Sequence, residues 1–428
     1  MIDIRAFRGN KEKFKREIGS RGPRSLSAVE ALIKIDAEYK KVLSETEKLR
    51  ERRNDISRVI KEYKMKGRIN EAEKLMEEAN RVKNSLKSAE EKLAVLEKEM
   101  EKVCFSVPNI PHDSAPKGKG EQDNKIIYED MSNKKNFDFK PLDHHALGEK
   151  LEIIDFARAA LLSGSRFALL RGMGAALERA IAQFMLNVHV RENGYTEVLP
   201  PYLNNAQTMT GSGQLPKFEE DLYKTACENP LYLIPTAEVP LVNLHSQSVL
   251  AEKELPLKYV AHTPCFRREA GSYGKDTRGL IRNHQFNKVE LVWITMPEDS
   301  MNALEKLRED AEKILKLLKL PYRVVELCTA DLGFASGKTY DLEVWMPGEE
   351  RFREISSISN CFDFQARRIN TKVKRSSGGK SEYVHTLNGS GLAVGRTLAA
   401  VLENYQNSDN SITVPEVLKE YLGVEKIY

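Results

Sequence analysis

Between Leu32 and Val103 the chain has no proline and a single glycine, Gly67, and apolar residues recur at helical spacing on both sides of it. The first stretch reads Leu32, Ile35, Tyr39, Val42, Thr46, Leu49, Arg53, Ile56, Ile60, Tyr63. The second reads Leu75, Ala79, Val82, Leu86, Ala89, Leu93, Leu96, Met100, Val103, with Met76 an extra. From Leu75 the spacing alternates four and three over four heptads, the a/d seam of a coiled coil. Two such helices around a glycine turn predict an antiparallel hairpin over about 30–103 with its tip near 64–70. Each arm would be roughly 50 Å long at about 1.5 Å per residue. Thr46 and Arg53 are its weak points.

Residues 1–110 hold 27 Lys/Arg against 20 Asp/Glu, although the whole 428-residue chain carries only +4. The positive excess therefore sits in the hairpin region, with Lys61, Lys64, Lys66 and Arg68 at the tip and Arg50, Arg52, Arg53 and Arg58 along the first helix. Charge on a helix is most often a solvated face. A thin basic projection also suits contact with a phosphate backbone.

Composition removes several classes. No uncharged apolar run approaches the roughly 18–20 residues that cross a bilayer, so no membrane span is expected. The N-terminus MIDIRAFRGNKEKFKREIG has no apolar core and carries acids, so neither a signal nor a transit peptide is expected. The five cysteines lie far apart, with no CxxC and no HExxH. They are expected to be reduced, buried thiols, without a structural zinc or a disulfide framework. His144 and His145, being adjacent, are expected to be surface or packing residues.

The segment SVPNIPHDSAPKGKGEQDN (106–124) reads as a linker. Beyond it, helical stretches at 144–163 and 172–192 are interspersed with strand-like ones: LYLIPTA, KYVAHTPCF, VELVWIT, YRVVELC, TYDLEVWM and RFREISSIS. Many strands with few helices between them predict an α+β domain over 125–428, built on a mainly antiparallel sheet flanked by helices. Nucleotide-loop patterns fail on counting. LGFASGKT (332–339) is one residue short of a P-loop, and RGMGAAL lacks the third glycine of a dinucleotide loop. No GxSxG or Ser/His/Asp signature supports a covalent nucleophile.

Four segments combine dense polar groups with apolar strands: Thr236-Ala237-Glu238, 265–292, 353–368 and 386–404. Arg267 and Glu269 are expected to alternate on one strand, Arg282 and Phe286 on the next with Glu290 beyond, joined by a glycine-rich basic turn (Gly271, Gly274, Lys275, Arg278, Gly279). Such a pair could hold a polyanion, a base edge and an aromatic plane together.

These segments resemble the three signature motifs of class II aminoacyl-tRNA synthetases. The first is a helix leading to Gly194–Pro201 (about 177–203). The second is Phe266-Arg267-Arg268-Glu269 with Arg282–Phe286 (265–290). The third is Gly389–Arg396 (389–403). Within that class, TGSGQLPKF, PTAEVP, FRREAGSYGKDTRGLIRNHQF, KTYDLEVW, EISSISNCFDFQARR and HTLNGSGLAVGR resemble the bacterial-type seryl-tRNA synthetase family in its order, and the hairpin (1–105) resembles its tRNA-binding arm. The one departure is Asn283, where an apolar residue is expected.

The resemblance implies activation of L-serine with ATP and Mg²⁺ to seryl-adenylate, then transfer of serine to the 3′-terminal adenosine of serine tRNA, by a cytoplasmic homodimer. Whether a selenocysteine tRNA is also charged stays open. Arg267 and Arg396 are the implied catalytic residues. The implied ATP contacts are Arg267, Arg268, Glu269, Arg282, Asn283, Phe286, Glu354, Ile355, Ser356, Ser357 and Arg396, with Glu354 and Ser357 as Mg²⁺ ligands. Phe286 and Arg396 would flank adenine, and Arg396 and Arg282 could also neutralise the distal phosphates. Thr236, Ala237, Glu238, Arg267, Glu290 and Ser390 would bind serine, and Arg50, Arg53, Arg58, Lys64, Lys66 and Arg68 the tRNA. The alternatives are another class II synthetase, or a related ligase acting on a carrier protein.

Overall fold

In a computed structural model, residues 1–270 and 278–428 are described. They divide into two compact units, one of residues 4–108 and one of 1–3 with 109–428.

The first unit is built on two long helices, α1 (Pro23–Met65) and α2 (Ile69–Ser106). Gly67 sits between them at φ +70°, the left-handed region that favours glycine and reverses the chain in three residues. Val42 packs with Leu93 and Leu96 in the seam. Thr46 is buried there, its hydroxyl donating to the Val42 carbonyl at 2.8 Å, so the polar residue is satisfied within its own helix. Arg53 is exposed although it holds a seam position, so the seam opens locally. The pattern also misses Asp36, which is fully buried among apolar positions. Arg8 and Lys11, each at 2.7 Å, compensate its charge from two short helices, Ile4–Gly9 and Lys11–Gly19.

The second unit is organised by an eight-stranded sheet. Its strands are β1 (Lys125–Asp130), β2 (Thr196–Glu197), β3 (Leu257–Phe266), β4 (Gln285–Thr295), β5 (Tyr322–Glu326), β6 (Lys338–Met346), β7 (Arg351–Phe362) and β8 (His385–Ala393). The spatial order is β1-β5-β6-β7-β8-β4-β3-β2. All pairs are antiparallel except β2 with β3.

Period-two alternation divides the sheet between two tasks. On β4, Val289, Leu291 and Trp293 enter the main core, and on β7 and β8 so do Ile358 and Leu387. Helices α5 (Met173–Arg191), α6 (Ser300–Leu317) and α7 (Val394–Tyr405) bury Leu177, Ile181, Leu304, Leu307, Leu398 and Val401 in that core. The intervening residues Phe286, Lys288, Glu290, Ser357, Ser359, Asn388 and Ser390 line a cavity on the other face.

Four expectations change. The 144–163 stretch is two helices, α3 (His144–Lys150) and α4 (Phe156–Ser163). Between them Glu152 turns at φ +51°, and Gly148 lets Ile154 approach so closely that a Cβ would meet it at 2.6 Å. Asp155 then caps α4, accepting from the Arg158 amide at 2.8 Å. LYLIPTA forms only a two-residue strand, Tyr232–Leu233, before a short helix, Glu238–Val242. Four cysteines are buried, but Cys227 is exposed. His144 is buried, and His145 stacks on Phe156 at 4.6 Å. Residues 109–124 are tied to the body: the Asn109 side chain donates to the carbonyls of Ala335 and Cys361, and His112 N to Gly337.

Candidate active site

The cavity encloses about 760 Å³ between the open face of β4, β7 and β8, the start of α7, and the segments 212–222, 267–269, 280–283 and 333–336. It brings together Thr236, Glu238, Arg267, Glu269, Arg282, Asn283, Phe286, Glu290, Glu354, Ile355, Ser357, Ser390 and Arg396. Three anticipated residues do not line it. Arg268 points into a separate cleft with Lys217 and Lys224, Ala237 is fully buried, and Ser356 is buried with its hydroxyl donating to the Ser390 carbonyl at 2.6 Å.

The strand alternation read for Arg267 and Glu269 is also corrected. The β3–β4 register ends at Phe266↔Gln285, and Glu269 has φ +52°, which a strand cannot continue. Arg267 instead follows the strand end, its amide donating to the His284 carbonyl at 2.9 Å. Gly271, Gly274 and Lys275 of the basic turn lie outside the described residues.

One end of the cavity is rich in guanidinium groups. Arg267 donates from Nε to the Pro235 carbonyl (3.3 Å) and lies 5.2 Å from the Phe286 ring centroid. Arg282 pairs with Glu269 at 2.7 Å, and its Nε is enclosed without a hydrogen-bond partner among the described residues. Arg396, in the first turn of α7, donates to the carbonyls of Ile281 (3.2 Å) and Glu354 (2.6 Å), with the Glu354 carboxylate at 3.4 Å. Burial alone would raise the Glu354 carboxyl, but Arg396 and Arg267 outweigh it and hold it below its usual range. Behind it on β6, Asp341 accepts from the Ser357 hydroxyl, and its Oδ1 is enclosed without a partner among the described residues. Burial first, and the Glu354 charge second, push the Asp341 carboxyl up.

The other end holds a small buried ionic cluster. Lys288 donates to Thr236 Oγ1 at 2.8 Å and lies 2.6 Å from Glu290 Oε2. The second contact is an ion pair rather than a directed hydrogen bond. Glu238 accepts from Gln365 Nε2 at 2.6 Å, and Gln365 in turn accepts from the Thr386 hydroxyl. Burial, reinforced by the nearby Glu290 charge, raises the Glu238 carboxyl to about 7. Lys288 and Gln365 were not anticipated. Lys288 was findable, because 286, 288 and 290 share one face of a strand. Gln365 carried no such signal, since a short helix distant in sequence, Phe364–Ile369, supplies it. Ser212–Gln214 and Gly333–Ser336 also line the cavity, the latter from the segment whose glycine spacing excludes a P-loop.

In the arm, Arg50, Arg58 and Arg68 pair with Glu90 (2.8 Å), Asp55 (3.1 Å) and Glu71 (2.5 Å). Arg53 bonds the neighbouring Asn54, and Lys64 and Lys66 are exposed at the tip.

Residues 1–111 match the family profile described as the seryl-tRNA synthetase N-terminal domain, and 223–405 match the class II tRNA synthetase core domain (G, H, P, S and T). A serine–tRNA ligase of Thermodesulfovibrio yellowstonii is 53% identical over 428 residues, covering 100% of both chains. The chain belongs to the seryl-tRNA synthetase family. A solved seryl-tRNA synthetase of Pyrococcus horikoshii complexed with ATP superposes with a TM-score of 0.92 at 38% identity, over 100% of this chain and 99% of that one. A cytoplasmic serine–tRNA ligase of Naegleria fowleri in complex with AMP gives 0.85 at 30%, over 100% and 98%. Among the described residues no helix is long and apolar enough to cross a membrane.

Proposed function

We propose that the chain activates L-serine with ATP and transfers it to the 3′-terminal adenosine of serine tRNA. The observation that carries this reading is the two-ended cavity, with guanidinium groups at one end and a buried Lys–Glu–Thr cluster at the other. The family match runs through the arm as well as the body, which favours a tRNA over a carrier protein.

In the first step a carboxylate oxygen of serine bonds to the α-phosphorus of ATP, and the bond to pyrophosphate breaks. In the second the terminal ribose hydroxyl attacks the acyl carbon, and AMP leaves. Neither step needs an enzyme nucleophile; positioning and charge neutralisation supply the catalysis. Arg267, whose Nε reaches the Pro235 carbonyl next to Thr236, bridges the α-phosphate and the serine carboxylate with its planar fork. Arg282 and Arg396 meet the distal phosphates, and the enclosed Arg282 Nε gains a partner there. Phe286 offers a stacking face to adenine, Glu269 accepts from its amino group, and Asn283 and Ile355 stand on the wall beside it. Glu290 takes the substrate hydroxyl, Glu238 the ammonium, and Thr236 and Ser390 add neutral bonds.

Glu354 and Ser357 offer hard oxygens beside the phosphate end, and the unsatisfied Asp341 oxygen behind them fits an added cation. These residues would hold Mg²⁺, which would supply charge neutralisation for the phosphates. Arg50, Arg53, Arg58, Lys64, Lys66 and Arg68 supply the tRNA contact. Exposed Leu199 and Leu203 beside Pro201 support a homodimer through this segment, and thiols that form no disulfide among the described residues suit a cytoplasmic setting.

The test is ATP–pyrophosphate exchange with serine, threonine, alanine and proline, followed by charging of serine and selenocysteine tRNAs. Serine alone should support exchange. Exchange with proline or threonine at the serine rate overturns the reading.

A further inference from the structure

Helix α7 meets the cavity with Arg396 and, two turns later, carries Glu403, which is fully buried and does not line the cavity. Glu403 Oε1 accepts from both the backbone amide (3.0 Å) and Nδ1 (2.7 Å) of His144, at the start of α3. Its Oε2 accepts from the Gly348 amide at 2.8 Å. Committing the imidazole proton to Glu403 at Nδ1 leaves Nε2 as an acceptor. That acceptor is filled by the backbone amide of Leu280, at 3.0 Å in a buried position. The approach is close. Gly279 stands at φ +76°, and a Cβ there would meet His144 Nε2 at 2.2 Å.

Leu280 belongs to the limb that returns toward β4 along the cavity wall. One residue on, the Ile281 carbonyl accepts from Arg396, and the side chain after it, Arg282, holds Glu269. Helix α7 thus grips this limb at two peptide groups with one between them, directly through Arg396 and indirectly through Glu403 and His144. The donor atoms of His144, Glu403 and Glu349 also lie within 4.8 Å of one another, a spacing that could suit a metal. The protein's own groups use them instead. Both ring nitrogens and both Glu403 oxygens are engaged, and Glu349 accepts from Arg351 and Arg353.

We infer that His144, oriented by Glu403, is a positioning residue for the ATP half of the reaction: its Nε2 fixes the backbone at 279–282 so that Arg282 and Arg396 stand where the phosphates bind. This rests on the ATP role proposed above for those two arginines. The role requires an acceptor at the Nε2 position, and this separates it from mere filling of the core. His144→Asn keeps a donor for Glu403 but is too short to reach Leu280. His144→Gln places an acceptor near Nε2.

The experiment is pyrophosphate exchange by the full-length enzyme, with KM for ATP, KM for serine, kcat and the thermal midpoint measured for both variants and for Arg396→Ala as a control. His144→Asn should raise the ATP KM roughly tenfold, the scale of one buried hydrogen bond, with the serine KM within about twofold. His144→Gln should restore most of the loss. Equal behaviour of the two variants, or parallel changes in both KM values that track the thermal midpoint, overturns the inference. So does stoichiometric zinc in the purified enzyme, which would make the trio a metal site. If Arg396→Ala leaves the ATP KM unchanged, the reading of the ATP site fails. If only the Arg396 variant is affected, the inference about His144 alone fails.

Discussion

The arm and the cavity use the same residue types under opposite physical conditions. Arg50, Arg58 and Arg68 sit on the hairpin with side chains about half exposed or more, each beside one acid. Such pairs are screened by salt, exchange easily for a phosphate, and contribute little to stability. Lys288 and Glu290 are almost fully buried, and breaking a pair of that kind by removing one partner costs about 3–5 kcal/mol. Exposed charge can grip a long polyanion in many registers. Buried charge holds one small ligand in one geometry, because its desolvation cost is met only when every partner is in place.

The largest expected effect would break the comparison at its buried end. Glu290→Ala leaves Lys288 without its counter-charge and the serine hydroxyl without its acceptor. Serine kcat/KM in the exchange assay should fall by roughly 10³-fold or more, with ATP affinity, read by equilibrium binding, within about threefold. Equal losses for the two substrates would mean that Glu290 supports the whole cavity rather than serine.

Next comes the exposed end. Cutting the hairpin between Glu45 and Glu91 leaves Val42 against Leu93 and the Asp36 ion cluster intact. Charging of serine tRNA should drop at least roughly 100-fold, as expected when several phosphates are no longer gripped, while exchange is retained. Full charging by the shortened enzyme would reduce the arm to a spacer.

A smaller effect concerns protonation. With its carboxyl raised to about 7, Glu238 is largely protonated below that pH and ionised above it. An ammonium substrate needs the ionised form, so serine kcat/KM should rise with pH to a limb near 7, and Glu238→Gln should abolish that limb. The same shift has a sign for stability. The folded state holds this proton more tightly than the unfolded chain, so the stability Glu238 contributes is present at low pH and lost as pH rises from about 4.5 to about 7. Chemical denaturation across that range, wild type against Glu238→Gln, checks it.

The smallest effect is graded. Reversing Arg50, Arg53 and Arg58 should weaken tRNA binding and flatten the salt dependence, by roughly one counterion for each phosphate the arm releases. An unchanged slope would place those side chains away from the RNA.

How far the sequence reached differs by element. The hairpin was legible almost residue by residue, because a coiled-coil seam is a local repeat and one glycine marks its turn. The strands bearing Phe286 and Glu290 were legible because alternation is local too. Arg267 and Glu269 were assigned to a strand that ends before them, since where a ladder stops depends on its partner's register. Ser356 and Ala237 were drawn into the site by adjacency to true lining residues, although Ser356 is one step along a strand and so faces the opposite side, and Ala237 packs into an apolar cluster where the helix of Glu238 begins.

The sequence by itself determined the two-part organisation, the basic bias of the hairpin and the residue types that meet at the cavity, because periodicity and charge are properties of neighbouring positions. The tertiary structure alone decided which of those residues face one another. Strand order β7-β8-β4 sets Ser357, Ser390 and Glu290 on a common floor, and Arg267 joins them from just past the end of β3. It also decided that Asp36 and Lys288 could be buried as ions, that Gln365 reaches Glu238, and that Glu403 and His144 meet Leu280. The physical reason is that burial and hydrogen bonding join groups by distance in space, and these partners lie between two and more than two hundred residues apart along the chain.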